Sequence, residues 1–284
     1  MLRTDSLLNF VTLRVVARGL PAALVCSMLA AGCSIAHGPA PPVRVLVLNM
    51  HAGKDASGAD NLQRIADLIR SNTPDLVLLQ EVDRGTKRSG GVDQVGRLRE
   101  TTSYDGAFGA SLASYDGGQY GIAVLSKRAI AARSTAPLPV SPVETRAAGS
   151  HEPRIALVVL ANMEGRVLWR VVNTHLDPSD DAARQQEAAG VLTVTREQAA
   201  AGTPFVAGGD FNSTPDSPVH QSLQAAGLRD AWAECGKGDG FTYPADAPSK
   251  RIDYLFLSGG LECSDAEVVD TTLSDHRPLL VTIQ

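Results

Sequence analysis

The apolar positions of this chain fall in short unbroken runs, with few long helical stripes. Val43 to Leu48 is apolar except for Arg44, and Leu76-Val77-Leu78-Leu79 is wholly apolar. The first run stops at Asn49, the second at Gln80-Glu81. Runs of this length predict buried strands. Between them, Leu62, Ile65, Ala66 and Ile69 lie at helical spacing within Asn61–Arg70, and Pro74 ends that helix. Strand, helix, strand is the opening of an α/β fold. Further strands are expected at Gly121–Ser126, Ile155–Leu160, Val167–Asn173, Phe205–Ala207, Ile252–Leu257 and Leu279–Ile283. A long helix is expected at Asp180–Ala200, where acidic residues meet the positive end of the helix dipole. Strands outnumber helices, which favours a sheet-rich α/β sandwich.

Residues 1–32 stand apart from this pattern. Arg3, Arg14 and Arg18 lead into an apolar, small-residue run from Leu20 to Ala31, followed by Gly32-Cys33. The run is short for a bilayer span and has the layout of a cleavable export signal. Small residues before a cysteine resemble a bacterial lipoprotein cleavage site, although Leu usually stands one place nearer the Cys. Cys33 would then carry the lipid; cleavage after Ala36 is the alternative. Residues 33–42 include Gly38-Pro39-Ala40-Pro41-Pro42 and read as a tether, leaving 43–284 as one domain. The expected location is the periplasmic side of a bacterial membrane, anchored through Cys33.

Apolar residues make up 44% of the chain and aromatics 5%, so the core must be built mainly from Val, Leu, Ile and Ala. The formal net charge is −5; without residues 1–32 the chain keeps 23 basic and 30 acidic residues, net −7. That balance argues against a protein that grips long duplex DNA, whose affinity rests on neutralised phosphates. Cys235 and Cys263 remain in the domain. An oxidising exterior permits a disulfide between them; two unrelated thiols fit the sequence equally well.

Polar clusters stand at the tips of the apolar runs. In order they are Leu48-Asn49-Met50-His51, Leu79-Gln80-Glu81-Val82, Asn173-Thr174-His175-Leu176, Gly209-Asp210-Phe211-Asn212, Arg251-Ile252-Asp253-Tyr254 and Ser274-Asp275-His276-Arg277-Pro278. Strand ends and their loops are rigid mounts for reactive groups. The six clusters resemble, in order and over roughly 43–284, the endonuclease/exonuclease/phosphatase (DNase I-like) superfamily. The resemblance implies a two-sheet α/β sandwich with flanking helices. It also implies hydrolysis of phosphodiester or phosphomonoester bonds with Mg²⁺ or Mn²⁺.

The chemistry asks for these residue types. Phosphoester hydrolysis needs neutralised phosphoryl charge, an activated water and a stabilised leaving oxygen. By resemblance Glu81 is the main metal ligand, with Asn49 beside it as a metal or phosphate contact and Asp275 as a further metal contact. Asp210 orients or activates the water, and Asn212 holds the phosphate. On a locally extended segment Asp210 and Asn212 would face the same way; an Asx turn is the competing local reading. Asp253 and His276 form an acting pair, the carboxylate favouring the protonated imidazole; His276 acts either as base or as charge stabiliser. His175, found at this place in DNase I-like and sphingomyelinase-like members, suits protonating or contacting the leaving side. Arg154 reads either as a phosphate contact or as a surface arginine, and Asn49 also reads as a strand-ending turn residue. The stretch Asp83–Gln94 reads as a substrate-facing loop or a solvated connection. No acid follows Asn49 directly, and Asp55 is the nearest, so one-metal and two-metal operation both stay open. The substrate classes in view are a phosphorylated small molecule, a phospholipid or a nucleic acid. The alternatives are a nuclease acting on DNA or RNA and a catalytically silent binding protein of the same fold.

Overall fold

A computed structural model of the chain describes residues 41–141, 152–163 and 168–284. The export signal, Cys33 and most of the Pro-rich tether lie outside these residues, as does Val167 at the start of one expected strand. In chain order the elements are β1 (Val43–Asn49), α1 (Leu62–Asn72), β2 (Leu76–Arg84), α2 (Gln94–Thr102), β3 (Asp105–Tyr115), β4 (Gly118–Ser126), β5 (Ile130–Leu138), β6 (Arg154–Asn162) and β7 (Leu168–His175). There follow α3 (Asp181–Ala200), β8 (Phe205–Asp210), α4 (Pro218–Ala225), β9 (Arg229–Asp230), α5 (Ala231–Cys235), β10 (Asp253–Leu257), β11 (Cys263–Val268) and β12 (Leu279–Ile283). The strands form two six-stranded sheets, ordered β11-β12-β1-β2-β4-β3 and β5-β6-β7-β8-β10-β9. This is the α/β sandwich expected from the sequence.

The unbroken apolar runs are explained by burial on both faces of each sheet. Along β1, Val45 and Val47 enter a cluster with Leu78, Val124, Leu157, Val171 and Leu255, which joins the two sheets. The alternate residues Leu46 and Leu48 pack outward with Ile65 and Ile69 of α1 and Leu98 of α2. The second sheet repeats the scheme: Val172, Ala207 and Phe256 meet Val191 of α3 and Leu223 of α4. Strands covered on both sides lose the polar alternation of a one-sided sheet. Each fully buried Val or Leu contributes about 1.5–3 kcal/mol.

Two polar devices hold the layers in register. Gln80 Nε2 donates to Asn173 Oδ1 at 2.7 Å, and Asn173 Nδ2 donates to the carbonyls of Leu79 and Ala123, at 3.0 and 2.8 Å. Asn173 of the second sheet is thereby bonded to three residues of the first. Farther off, the Cys235–Cys263 disulfide ties α5 to β11. That resolves the choice between a disulfide and two separate thiols.

Candidate active site

The register brings six strand ends to one rim. β1 and β2 run parallel, with Asn49 opposite Gln80. β7 and β8 run parallel, with His175 opposite Asp210. β10 is antiparallel to β8, so its first residue, Asp253, also lies opposite Asp210. β12 is antiparallel to β1, which delivers the preceding His276 to the same end. In β2 the register slips between Leu79 and Val82, and Glu81 takes a left-handed φ of 54°. This bulge breaks the alternation of the strand, and Glu81 lines the cavity.

Asp210 is the hub, with 1% of its surface exposed. Its Oδ1 accepts from the Asn212 amide at 2.9 Å. Its Oδ2 accepts from Asn49 Nδ2 at 3.0 Å, and the same Asn49 nitrogen donates to Glu81 Oε1 at 3.1 Å. Two imidazoles face that Oδ2: His175 Nε2 at 3.5 Å and His276 Nε2 at 3.7 Å. On its far side His276 Nδ1 meets Asp253 Oδ2 at 2.9 Å. Burial, reinforced by the charge of Asp253, pushes the Asp210 carboxyl up to about 7. Burial opposes the His276 cation, but Asp253 and then Asp210 more than offset it and raise His276 to about 10. The Tyr243 ring packs against His276 at a tilt of 46°, with centroids 4.8 Å apart.

Asn212 does not continue an extended segment. Its φ is 48°, because Asp210 Oδ1 captures its N–H in an Asx turn, and its Nδ2 donates to the Leu176 carbonyl at 3.0 Å. Turn and site coexist: Asp210 and Asn212 both line the cavity. Asp275 stands at the lip, 34% exposed and 3.8 Å from His51 Nδ1. Asp55 binds Ser57 and Ala59 within its own exposed loop and is not among the lining residues. Arg154 is buried, which rules out the surface reading. Its Nη1 lies 2.7 Å from Glu152 Oε1 and 3.2 Å from His175 Nδ1. Asp83–Gln94 is organised around buried Asp83, which accepts from Arg88 Nε and Nη2 at 2.7 and 2.8 Å and from the Thr86 hydroxyl at 2.8 Å. That brings Arg88, with Tyr115 and Tyr120 beside it, to the cavity wall. Glu152 and Tyr243 escaped assignment from sequence: Glu152 stands two places before Arg154, whereas nothing local marks Tyr243.

Behind the site Glu187 of α3 is fully buried, its Oε2 accepting from the Asp177 amide at 2.8 Å. Burial raises its carboxyl from 4.5 to about 7. Between those values the unfolded chain gives up a proton that the folded chain keeps, so stability falls as pH rises through this window. Glu187→Gln should abolish that slope and stabilise the protein at pH 8 by on the order of 3 kcal/mol, measured by urea unfolding. A destabilisation of equal size at pH 5 and pH 8 would contradict this.

The cavity measures about 870 Å³ and is walled mainly by polar side chains, Glu81, Arg88, Arg184 and Lys250 among them. Ligand atoms of Asp210, Asp253 and His276 lie within 4.8 Å of one another. Both nitrogens of His276 are already directed at carboxylates. Glu81 and Asp275 also line the cavity, and their carboxylate oxygens suit a hard divalent cation.

Residues 46–276 match the Endonuclease/Exonuclease/phosphatase family. The uncharacterized protein YbhP of Escherichia coli K12 is 25% identical over 251 residues, 84% of this chain and 95% of that protein. A mannosyl-6-phosphatase from Bacteroides thetaiotaomicron superposes with a TM-score of 0.71 at 19% identity, covering 85% of this chain and 99% of that one. The human Nocturnin catalytic domain, solved with sulfate, gives 0.67 at 21% identity, covering 86% and 93%. At these identities the structural likeness carries the fold.

Proposed function

Because the chain belongs to the endonuclease/exonuclease/phosphatase family, whose members hydrolyse phosphoester bonds, we propose that it is a Mg²⁺- or Mn²⁺-dependent hydrolase of phosphomonoester or phosphodiester bonds. The observation that carries this reading is the single Asp210 oxygen faced by His175, His276 and the Asn49 amide, with Glu81 on the other side of that amide. The cation would be held by Glu81 and Asp275, with Asn49 beside them, and would supply charge neutralisation on the phosphoryl oxygens.

The remaining work falls to the chain's own groups. Asp210, held near neutrality, takes the proton of the attacking water. His276, kept cationic by Asp253, gives its Nε2–H to a phosphoryl oxygen. Asn212 and Arg154 contact the phosphate from the cavity wall, and His175 faces the leaving side. A polar cavity of this size favours a phosphorylated small molecule, a class to which the substrate named for the mannosyl-6-phosphatase belongs. The acidic net charge favours it over duplex DNA. We further infer export and lipid anchoring at Cys33 on the periplasmic side; the Cys235–Cys263 disulfide supports an oxidising location.

Turnover of p-nitrophenyl and bis-p-nitrophenyl phosphate should fall at least about 100-fold with EDTA and return with Mg²⁺ or Mn²⁺. Sugar phosphates, phospholipid vesicles and plasmid DNA then rank the substrate classes. Chelator-insensitive hydrolysis sinks the metal-dependent reading.

A further inference from the structure

Arg154 opens β6 and His175 closes β7, and the two strands pair side by side. Their side chains meet below the cavity surface, with Arg154 4% and His175 5% exposed. A guanidinium has donors only and stays protonated in proteins. The imidazole nitrogen 3.2 Å from Arg154 Nη1 is Nδ1, so Nδ1 must present its lone pair. The other nitrogen, Nε2, lies 3.5 Å from a carboxylate oxygen of Asp210, which can only accept while ionised. Both neighbours therefore demand the same proton arrangement. Glu152 Oε1, 2.7 Å from Arg154 Nη1, holds the guanidinium in place. A buried Glu–Arg pair is a weak stabiliser by itself, so its worth lies in what it positions.

We propose that Arg154 is a positioning residue that fixes the tautomer of His175: it donates to Nδ1, so the one imidazole proton sits on Nε2 and points at Asp210 and the reacting phosphate. Burial, with the charges of Arg154 and then His276, also holds His175 well below the usual histidine range, in keeping with a neutral ring. A neutral Nε2–H is a hydrogen-bond donor and not an acid of useful strength. His175 therefore contacts the leaving side without protonating it. The two histidines flanking Asp210 differ because their partners differ: a carboxylate keeps His276 charged, and a guanidinium keeps His175 neutral.

The catalytic consequence rests on the phosphoesterase reading; the tautomer does not. Long-range ¹H–¹⁵N correlation of the full chain labelled at histidine, with His175 assigned through His175→Asn, should show the neutral Nε2–H form at pH 7. The double variant Glu152→Gln/Arg154→Met, which leaves no unpaired buried carboxylate, should show mixed tautomers and a kcat lower by about 10- to 100-fold. Arg154→Lys keeps a donor and should keep the Nε2–H form; its spectrum decides the matter if the double variant fails to fold. A wild-type His175 protonated on Nδ1 or on both nitrogens overturns the proposal, as does an unchanged tautomer in the double variant. A protein inactive on every phosphoester overturns the proposed function and leaves the tautomer assignment standing.

Discussion

Asp210→Ala is expected to lower kcat by about 10³- to 10⁴-fold while the protein stays folded, because this one carboxylate joins three parts of the proposed site. His175 and His276 both face it, it anchors the Asx turn that aims Asn212, and it shares the Asn49 amide with Glu81. Asp210→Asn keeps the shape but cannot take a proton from water, so it should be nearly as inactive. The two variants separate geometry from charge. If Asn is active and Ala is not, Asp210 only positions its neighbours; if both fail, its basicity is used. Stability should respond weakly, since removing the carboxylate also relieves its repulsion with Asp253. Circular dichroism, with thermal midpoints within a few degrees of the wild type, checks that the loss is chemical. Undiminished turnover in Asp210→Ala would overturn the proposed chemistry.

How much of this was legible in the sequence follows from which faces of each strand are covered. The expected strands correspond to β1, β2, β4, β6, β7, β8, β10 and β12, which occupy the inside of the two sheets. The strands that gave no signal, β3, β5, β9 and β11, are the four edges. β5 is largely exposed, and β11 reads Cys-Ser-Asp-Ala-Glu-Val, so neither carries an apolar run. β3 is rich in Gly, Ala and Ser, and a Cβ on its Gly109 would sit 2.8 Å from an Ile155 methyl and 3.0 Å from a Thr135 methyl of the other sheet. The site was legible for the same reason as the inner strands, since its residues stand where buried runs stop. Pairing partners were not legible. Arg154 carries no mark in the sequence of its contact with His175, and Tyr243 reaches His276 from a distant loop. Such contacts follow from sheet register and loop path, and neither is written locally.

Gly209→Ala is expected to cost about 4 kcal/mol or more, or to prevent accumulation of folded protein, although it adds one methyl group. Gly209 has a φ of +138°, and a Cβ built there would lie 1.9 Å from the Thr174 carbonyl oxygen and 3.1 Å from Asn173 Oδ1. The first obstacle is backbone of the paired strand, which cannot rotate away as a side chain can. Thr174 is opposite Gly209 in the parallel β7–β8 pairing, between Asn173, which bridges the sheets, and His175. Gly208→Ala should be milder, about 1–3 kcal/mol, since two of its three obstacles are methyl groups of Leu78 and Leu255, each 2.9 Å away. Urea unfolding of the two variants tests this order, and a Gly209→Ala protein within 1 kcal/mol of wild type would refute it. The two glycines before Asp210 thus do mechanical work for the chemistry. They let β8 press against β7 and β10 without side chains between them, and that closeness sets Asp210 between His175 and Asp253. A methyl group at 209 should therefore push His175 away from Asp210, so any folded fraction should also lose turnover.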